Sequence, residues 1–144
     1  MSQAIQQTVN KIFEDMYFMF PEQIITPEDH FSLPMRCYIA RTQFKKDKCA
    51  LVIYAEDQLV NQMAMNFLGE KRAFENIELI DIFREAANVI TGNYITASKK
   101  PPEVGFEIPV VDIITINSWD KVLSCHINRL YDIENHFFHI TLVE

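Results

Sequence analysis

The stretch that decides the fold reads Asp81-Ile82-Phe83-Arg84-Glu85-Ala86-Ala87-Asn88-Val89-Ile90-Thr91-Gly92. At about 100° per residue, four of these residues fall within an arc of about 60° on one side of a helix, and we call them the polar strip: Asp81, Glu85, Asn88 and Gly92. The other side repeats apolar residues at the spacing of a buried helical stripe: Leu79, Phe83, Ala86, Ala87, Ile90 and Tyr94. The pattern predicts a helix over residues 76–98 that buries one face and presents a carboxylate and a carboxamide on the other.

Three plainer interpretations of the polar strip remain open. Most polar strips on amphipathic helices are solvated surface, and such a spacing also arises by chance. Gly92 with Asn93 can also end a helix as a left-handed cap. Against the cap, the apolar spacing continues through Tyr94 to Ala97. A glycine inside a helix costs about 1 kcal/mol relative to alanine, which indicates that another backbone or a partner comes close to Gly92.

Length and composition indicate one ordinary globular domain spanning residues 1–144. The chain has 144 residues, of which 49% are hydrophobic and 23% charged, and this is typical of a soluble protein with a core of its own. No apolar run reaches the roughly 18 residues of a membrane span. Residues 2–20 contain Glu14 and Asp15 and lack the basic start and cleavage site of a secretory signal. We therefore expect a cytoplasmic protein.

Several classes of function are disfavoured by residue content. Cys37, Cys49 and Cys125 are odd in number and far apart, which is typical of small buried side chains rather than a disulfide framework or a zinc site. His136 and His139 lie three apart in a predicted strand, so they point to opposite sides and cannot chelate one metal together. A net charge of −7 and a pI near 5.1 disfavour a nucleic-acid partner. We expect no metal and no cofactor bound by this chain itself.

The remaining elements follow from periodicity and from the positions of proline and glycine. A first helix carries the apolar stripe from Ile5 to Phe20 and stops at Pro21, and residues 21–34 read as a loop. Strands are expected over 35–44 and 49–55, joined by a lysine-rich turn, then a helix from Asp57 to Gly69 and the helix over 76–98. Three more strands are expected over 104–117, 121–131 and 136–143, with Pro109 marking a bulge or an edge. The predicted fold class is α+β, an antiparallel sheet with helices packed on one side, in the order α-β-β-α-α-β-β-β.

The motif Asp81-x3-Glu85-x2-Asn88, followed by Gly92 and by a proline about two dozen residues on, resembles the signature of the CheC, CheX and FliY phosphatases of bacterial chemotaxis. The intervening distance to Pro109 is slightly shorter than is usual in that family. The single copy of the motif and the order of elements are most similar to CheX. The resemblance covers essentially the whole chain as a pattern, although only the motif helix is specific.

The resemblance implies a protein phosphatase that hydrolyses the aspartyl phosphate of a CheY-like response regulator. Asn88 would position the attacking water, and Glu85 would pair with a lysine of the regulator. The Mg²⁺ that neutralises the phosphoryl oxygens would be held by the phosphorylated partner. Asp81 would assist docking or stabilise the helix start, the second being favoured, and Gly92 would allow a close approach. A homodimer is also implied, since family members with a single copy of the motif form dimers. Exposed edges of the sheet, which tend to pair with another chain, point the same way.

Two alternatives to catalysis remain. Related flagellar switch proteins share this architecture without catalytic residues, so the chain can instead be a non-catalytic adaptor or scaffold that binds a response regulator. An unrelated domain with a chance motif is the third interpretation. Burial of Glu85 and Asn88 in the core or in a subunit interface would exclude catalysis by these residues.

Overall fold

The computed structural model describes residues 2–124 and 127–143. Its helices are α1 (Ser2–Tyr17), α2 (Asp57–Leu68), α3 (Asn76–Ala97) and the short α4 (Trp119–Val122). Its strands are β1 (Pro21–Ile24), β2 (Met35–Gln43), β3 (Ala50–Glu56), β4 (Val110–Ile116), β5 (Ile127–Ile133) and β6 (His136–Val143). Single 3₁₀ turns form at Pro27–Asp29 and Pro102–Val104. The predicted order is present, and the structure adds β1 and α4 to it.

All six strands form one antiparallel sheet in the order β1-β5-β6-β3-β2-β4. Alternate residues of each strand face the three long helices, and this side holds the main core. The other side carries a smaller cluster that includes Cys37 and Phe137, covered by residues of the segment before β2 and by α4. The α+β fold class is confirmed, with the three long helices on one face of the sheet.

Two segments differ from the expectation in their type of secondary structure. Residues 21–34 are not all loop, because Pro21–Ile24 pairs with β5 at the sheet edge, where a proline at the first position removes no ladder hydrogen bond. The strand expected over 121–131 begins only at Ile127. Upstream of it, Trp119–Val122 forms the short helix α4. Trp119 packs on Phe137, with 5.3 Å between ring centroids. A contact between distant parts of the chain therefore decides the local structure there.

Two helix ends and one strand start follow from left-handed residues. α1 ends at Tyr17, before Pro21, because Phe18 adopts φ 56° and the Met19 N–H donates to the Phe13 carbonyl at 3.0 Å. α2 ends at Gly69 as predicted, with φ 68° and the Gly69 N–H bonded to the Met65 carbonyl at 2.9 Å. β4 starts at Val110 rather than 104, after Gly105 at φ 57° and Pro109.

The two histidines of β6 point as their spacing predicts, and the described cysteines are wholly or partly buried. His136 and His139 point to opposite sides of β6: His136 contacts Glu56 at 3.3 Å, and His139 is buried against Asn128, Nε2 to Oδ1, at 2.7 Å. Cys37 is buried and Cys49 is half-buried. Cys125 lies outside the described residues.

Candidate functional site

The buried face of α3 fixes which side chains of this helix reach solvent. Phe83 packs edge-on against Tyr38 of β2, with 6.1 Å between ring centroids, and Tyr94 stacks on Phe44 at 6.4 Å. Phe83, Ala86, Ile90 and Tyr94 are each fully buried. Since the helix is held by one side over its whole length, the opposite side is presented to solvent in a fixed orientation.

The first turn of α3 is fixed by a network of charges. The Glu78 carboxylate accepts a hydrogen bond from the Glu75 N–H at 2.8 Å and is contacted by Arg72 at 3.1 Å. Arg72 also contacts Glu70 at 2.7 Å. Hydrogen bonding to Arg72 lowers the pKa of Glu78, so this carboxylate stays ionised at the positive end of the helix.

Glu85 and Asn88 lie on the exposed side of α3, one turn apart. Among the described residues, neither side chain makes a hydrogen bond or an ion pair. A carboxylate and a carboxamide that face solvent together, without a hydrogen bond or ion pair to a described residue, can both engage a second molecule at little cost in folding stability.

Asp81 is also exposed, but it has a partner within its own helix. Its Oδ1 contacts Nη1 of Arg84 at 2.9 Å. Nε of Arg84 donates to the Pro109 carbonyl at 3.4 Å, at the start of the edge strand β4. Asp81 thus takes part in a contact that joins α3 to the sheet edge.

Gly92 lies inside α3, as the continued apolar spacing predicts, and does not cap it. A Cβ atom at this position would meet the Phe106 ring at 3.9 and 4.0 Å, which is ordinary contact. Within the described chain, no backbone from another element comes within 4 Å of that position. A close approach by a partner therefore stays a prediction.

Sequence reasoning missed three neighbours of the polar strip: Arg84, Phe106 and Tyr17. Arg84 lies at i+3 from Asp81, a spacing at which opposite charges meet on a helix, so the sequence does carry a signal for this pair. Phe106 and Tyr17 reach the strip from other elements, and no local signal marks them. Burial raises the pKa of the Tyr17 phenol, and the Glu85 carboxylate raises it further.

The described part of the chain holds no group of three metal-ligating side chains suited to an ion. Within the same residues, no helix is both long and apolar enough to cross a bilayer.

Solved structures show which class of protein has this fold. The chain is similar to the chemotaxis protein CheX from Vibrio vulnificus, with a TM-score of 0.69, 15% identity and coverage of 98% of this chain and 95% of that one. CheX from Desulfovibrio desulfuricans gives a TM-score of 0.68 at 12% identity, covering 99% and 97%. CheX in the CheX-CheY-BeF3-Mg²⁺ complex from Borrelia burgdorferi gives 0.59 at 13% identity, covering 98% and 95%. The fold is thus that of the CheX chemotaxis proteins.

The sequence itself identifies the family. The family model described as chemotaxis phosphatase CheX matches residues 38–115, which is more than half of the chain. The chain belongs to the CheX family. Comparison with curated proteins gives no significant match.

Proposed function

We propose that this protein hydrolyses the aspartyl phosphate of a CheY-like response regulator. The observation that carries the proposal is the exposure of Glu85 and Asn88 on one face of a helix whose other face is fixed in the core. Membership of a family described as a phosphatase supports it, as does the Borrelia relative, which forms a complex with CheY.

Asn88 is the residue that positions water. Hydrolysis of a phosphoryl group passes through a loose transition state, so catalysis depends on placement and charge compensation more than on covalent chemistry. The Asn88 carboxamide both donates and accepts hydrogen bonds and can hold a water in line with phosphorus. The water oxygen bonds to phosphorus, the bond from phosphorus to the aspartyl oxygen breaks, and the water proton passes to the phosphate.

Glu85 sets the orientation of the complex. Its carboxylate pairs with a lysine of the regulator, and a charge-assisted pair of this kind fixes register and favours the correct partner. The Mg²⁺ that offsets part of the charge on the phosphoryl oxygens would be supplied by the regulator, so the chemistry asked of this chain is carried by two side chains.

The protein acts as a cytoplasmic homodimer in this proposal. β1 and β4 are the outer strands of the sheet, and Ile108 and Val110 beside the β4 edge are 78% and 62% exposed. An uncovered edge with apolar side chains favours pairing with a second copy. Sedimentation that gives only monomer at micromolar concentration would contradict the homodimer.

The test follows inorganic phosphate released from a phosphorylated CheY-like regulator of the same genome, with catalytic amounts of wild type, Glu85→Ala or Asn88→Ala. We expect wild type to accelerate release and Asn88→Ala to lose at least about 100-fold, because an unpositioned water reacts far more slowly. Asn93→Ala is the matched control, since Asn93 is a half-buried asparagine of the same helix whose amide donates to the Val89 carbonyl at 2.9 Å.

Binding measured in parallel separates the outcomes. If Asn88→Ala binds the regulator and releases no phosphate, water positioning is the mechanism. If wild type binds and leaves the rate unchanged, the protein is a non-catalytic adaptor and the catalytic proposal is wrong.

A further inference from the structure

Five of the chain's lysines come together from two separate segments. Lys45, Lys46 and Lys48 lie in the turn between β2 and β3, and Lys99 and Lys100 follow the end of α3. We call these five residues the lysine patch. The two segments are joined by direct contacts: Lys45 N–H to the Gly105 carbonyl at 3.3 Å, and Lys100 Nζ to Asp47 at 3.3 Å.

The lysine patch has the opposite charge to the rest of the protein. Segments 44–49 and 98–106 hold five lysines against two carboxylates, Asp47 and Glu103, which is three net positive charges. Because the whole chain carries −7, the remaining residues carry ten net negative charges. A positive surface on a negative molecule gives it a preferred orientation when it approaches an anion.

Two features show that internal packing does not account for these charges. Lys46, Lys48 and Lys99 are exposed, and none of the three makes an ion pair with a described residue. Lys99 also adopts φ 59°, the left-handed position after a helix that glycine takes with less strain. A lysine thus occupies a position where the backbone favours glycine.

The lysine patch is continuous with the polar strip. Gly92 lies one turn after Asn88, and the Phe106 ring is the nearest neighbour of its Cβ position. Phe106 follows Gly105, whose Cβ position meets the Lys45 side chain at 3.5 Å. One surface therefore runs from Asn88 through Phe106 to the lysines.

We propose that the lysine patch attracts and orients the anionic phosphoryl end of the response regulator before Glu85 and Asn88 engage it. This inference rests on the proposed function and names a second contact region for the same partner. The regulator is favoured over a flat polyanion because a membrane or a nucleic acid would also face the remaining residues, which carry ten net negative charges. A compact anionic group can instead approach the patch alone.

The experiment compares Lys46→Gln/Lys48→Gln/Lys99→Gln with a control that removes three exposed lysines elsewhere, Lys11→Gln/Lys71→Gln/Lys121→Gln. Affinity for the beryllofluoride-bound regulator and kcat/KM for phosphate release are measured at about 0.05 M and about 0.5 M salt. At low salt we expect the patch variant to lose about tenfold in affinity and in kcat/KM, with kcat unchanged. At high salt it should converge with wild type, because the Debye length shortens. The control should stay within about twofold of wild type throughout.

The outcomes distinguish failure of the proposed function from failure of the proposal for the lysine patch. If wild type neither binds the regulator nor releases phosphate, the proposed function fails. If wild type is active and the patch variant matches the control at low salt, the lysine patch has no role in docking while the proposed function stands. Sedimentation with phosphatidylglycerol vesicles, or binding to duplex DNA, that is lost in the patch variant while its affinity for the regulator is kept would assign the patch to that polyanion and overturn the proposal.

Discussion

Replacing Gly92 with alanine tests whether the polar strip is built for a partner or for the chain itself. Gly92 lies inside α3, and its Cβ position meets Phe106 at 3.9 Å, so a methyl group fits without displacing an atom. Alanine is favoured over glycine inside a helix by about 1 kcal/mol. We expect the free energy of unfolding to rise by about 1 kcal/mol and Tm by about 3 °C.

The same substitution at Gly69 serves as the control with the opposite sign. Gly69 has nothing within 4 Å of its Cβ position but adopts φ 68°, so alanine there is strained and we expect a loss of about 1 kcal/mol. Urea denaturation monitored by far-UV circular dichroism measures both variants. A loss of stability in Gly92→Ala would show that the space beside Phe106 does not admit a methyl group.

The functional half of this prediction concerns affinity. If the regulator approaches the helix backbone at Gly92, the added methyl group creates a clash, and affinity for the beryllofluoride-bound regulator should fall about fivefold or more. A variant that is more stable and binds as wild type would show that no partner comes close at this position. The glycine would then have no explanation in docking.

Three further predictions concern stability. Burial lowers the pKa of the His139 imidazole to about 4, against about 6.5 in the unfolded chain. The contribution of the neutral imidazole to folding stability is therefore complete above pH 6.5, and the free energy of unfolding falls by about 2 kcal/mol between pH 7 and pH 5. Urea titrations at the two pH values should show a smaller difference for His139→Gln. Phe18 is 67% exposed at φ 56°, so Phe18→Gly should raise the free energy of unfolding by about 1 kcal/mol, and a lower urea midpoint would contradict this. Asn88 is an exposed helix residue, so Asn88→Ala should raise stability by about 0.5 kcal/mol in thermal denaturation, and a variant with a lower Tm would leave its lost activity open to explanation by unfolding.

Strongly periodic segments can be predicted from the sequence, and weak ones cannot. The helix predicted over 76–98 spans Asn76–Ala97, because a long apolar stripe on one side of a helix leaves little choice of burial. The hairpin of β2 and β3 and the strand β6 are predictable because runs of β-branched and aromatic residues bounded by turns favour strands. β1 has four residues that begin with a proline, and its strand conformation depends on pairing with β5. No local sequence pattern predicts such a strand.

Part of the candidate site can also be predicted from the sequence, and part of it cannot. Helical spacing alone is enough to place Asp81, Glu85, Asn88 and Gly92 on one side of a helix, and all four lie on the predicted side of α3. The positions of Tyr17 and Phe106 beside this strip require the folded chain, since they belong to elements far away in sequence. The lysine patch also joins segments about fifty residues apart.

The sequence by itself determined the family motif, the α3 helix and the face that it presents, because these depend on neighbours within a few residues. Tertiary structure alone decided that Trp119 lies in a helix, that Pro21 lies in a strand, and that the lysine patch lies on the same surface as Asn88. These features depend on contacts between distant segments of the chain. Such contacts form only when the whole sheet packs, so the local periodicity of the sequence cannot predict them.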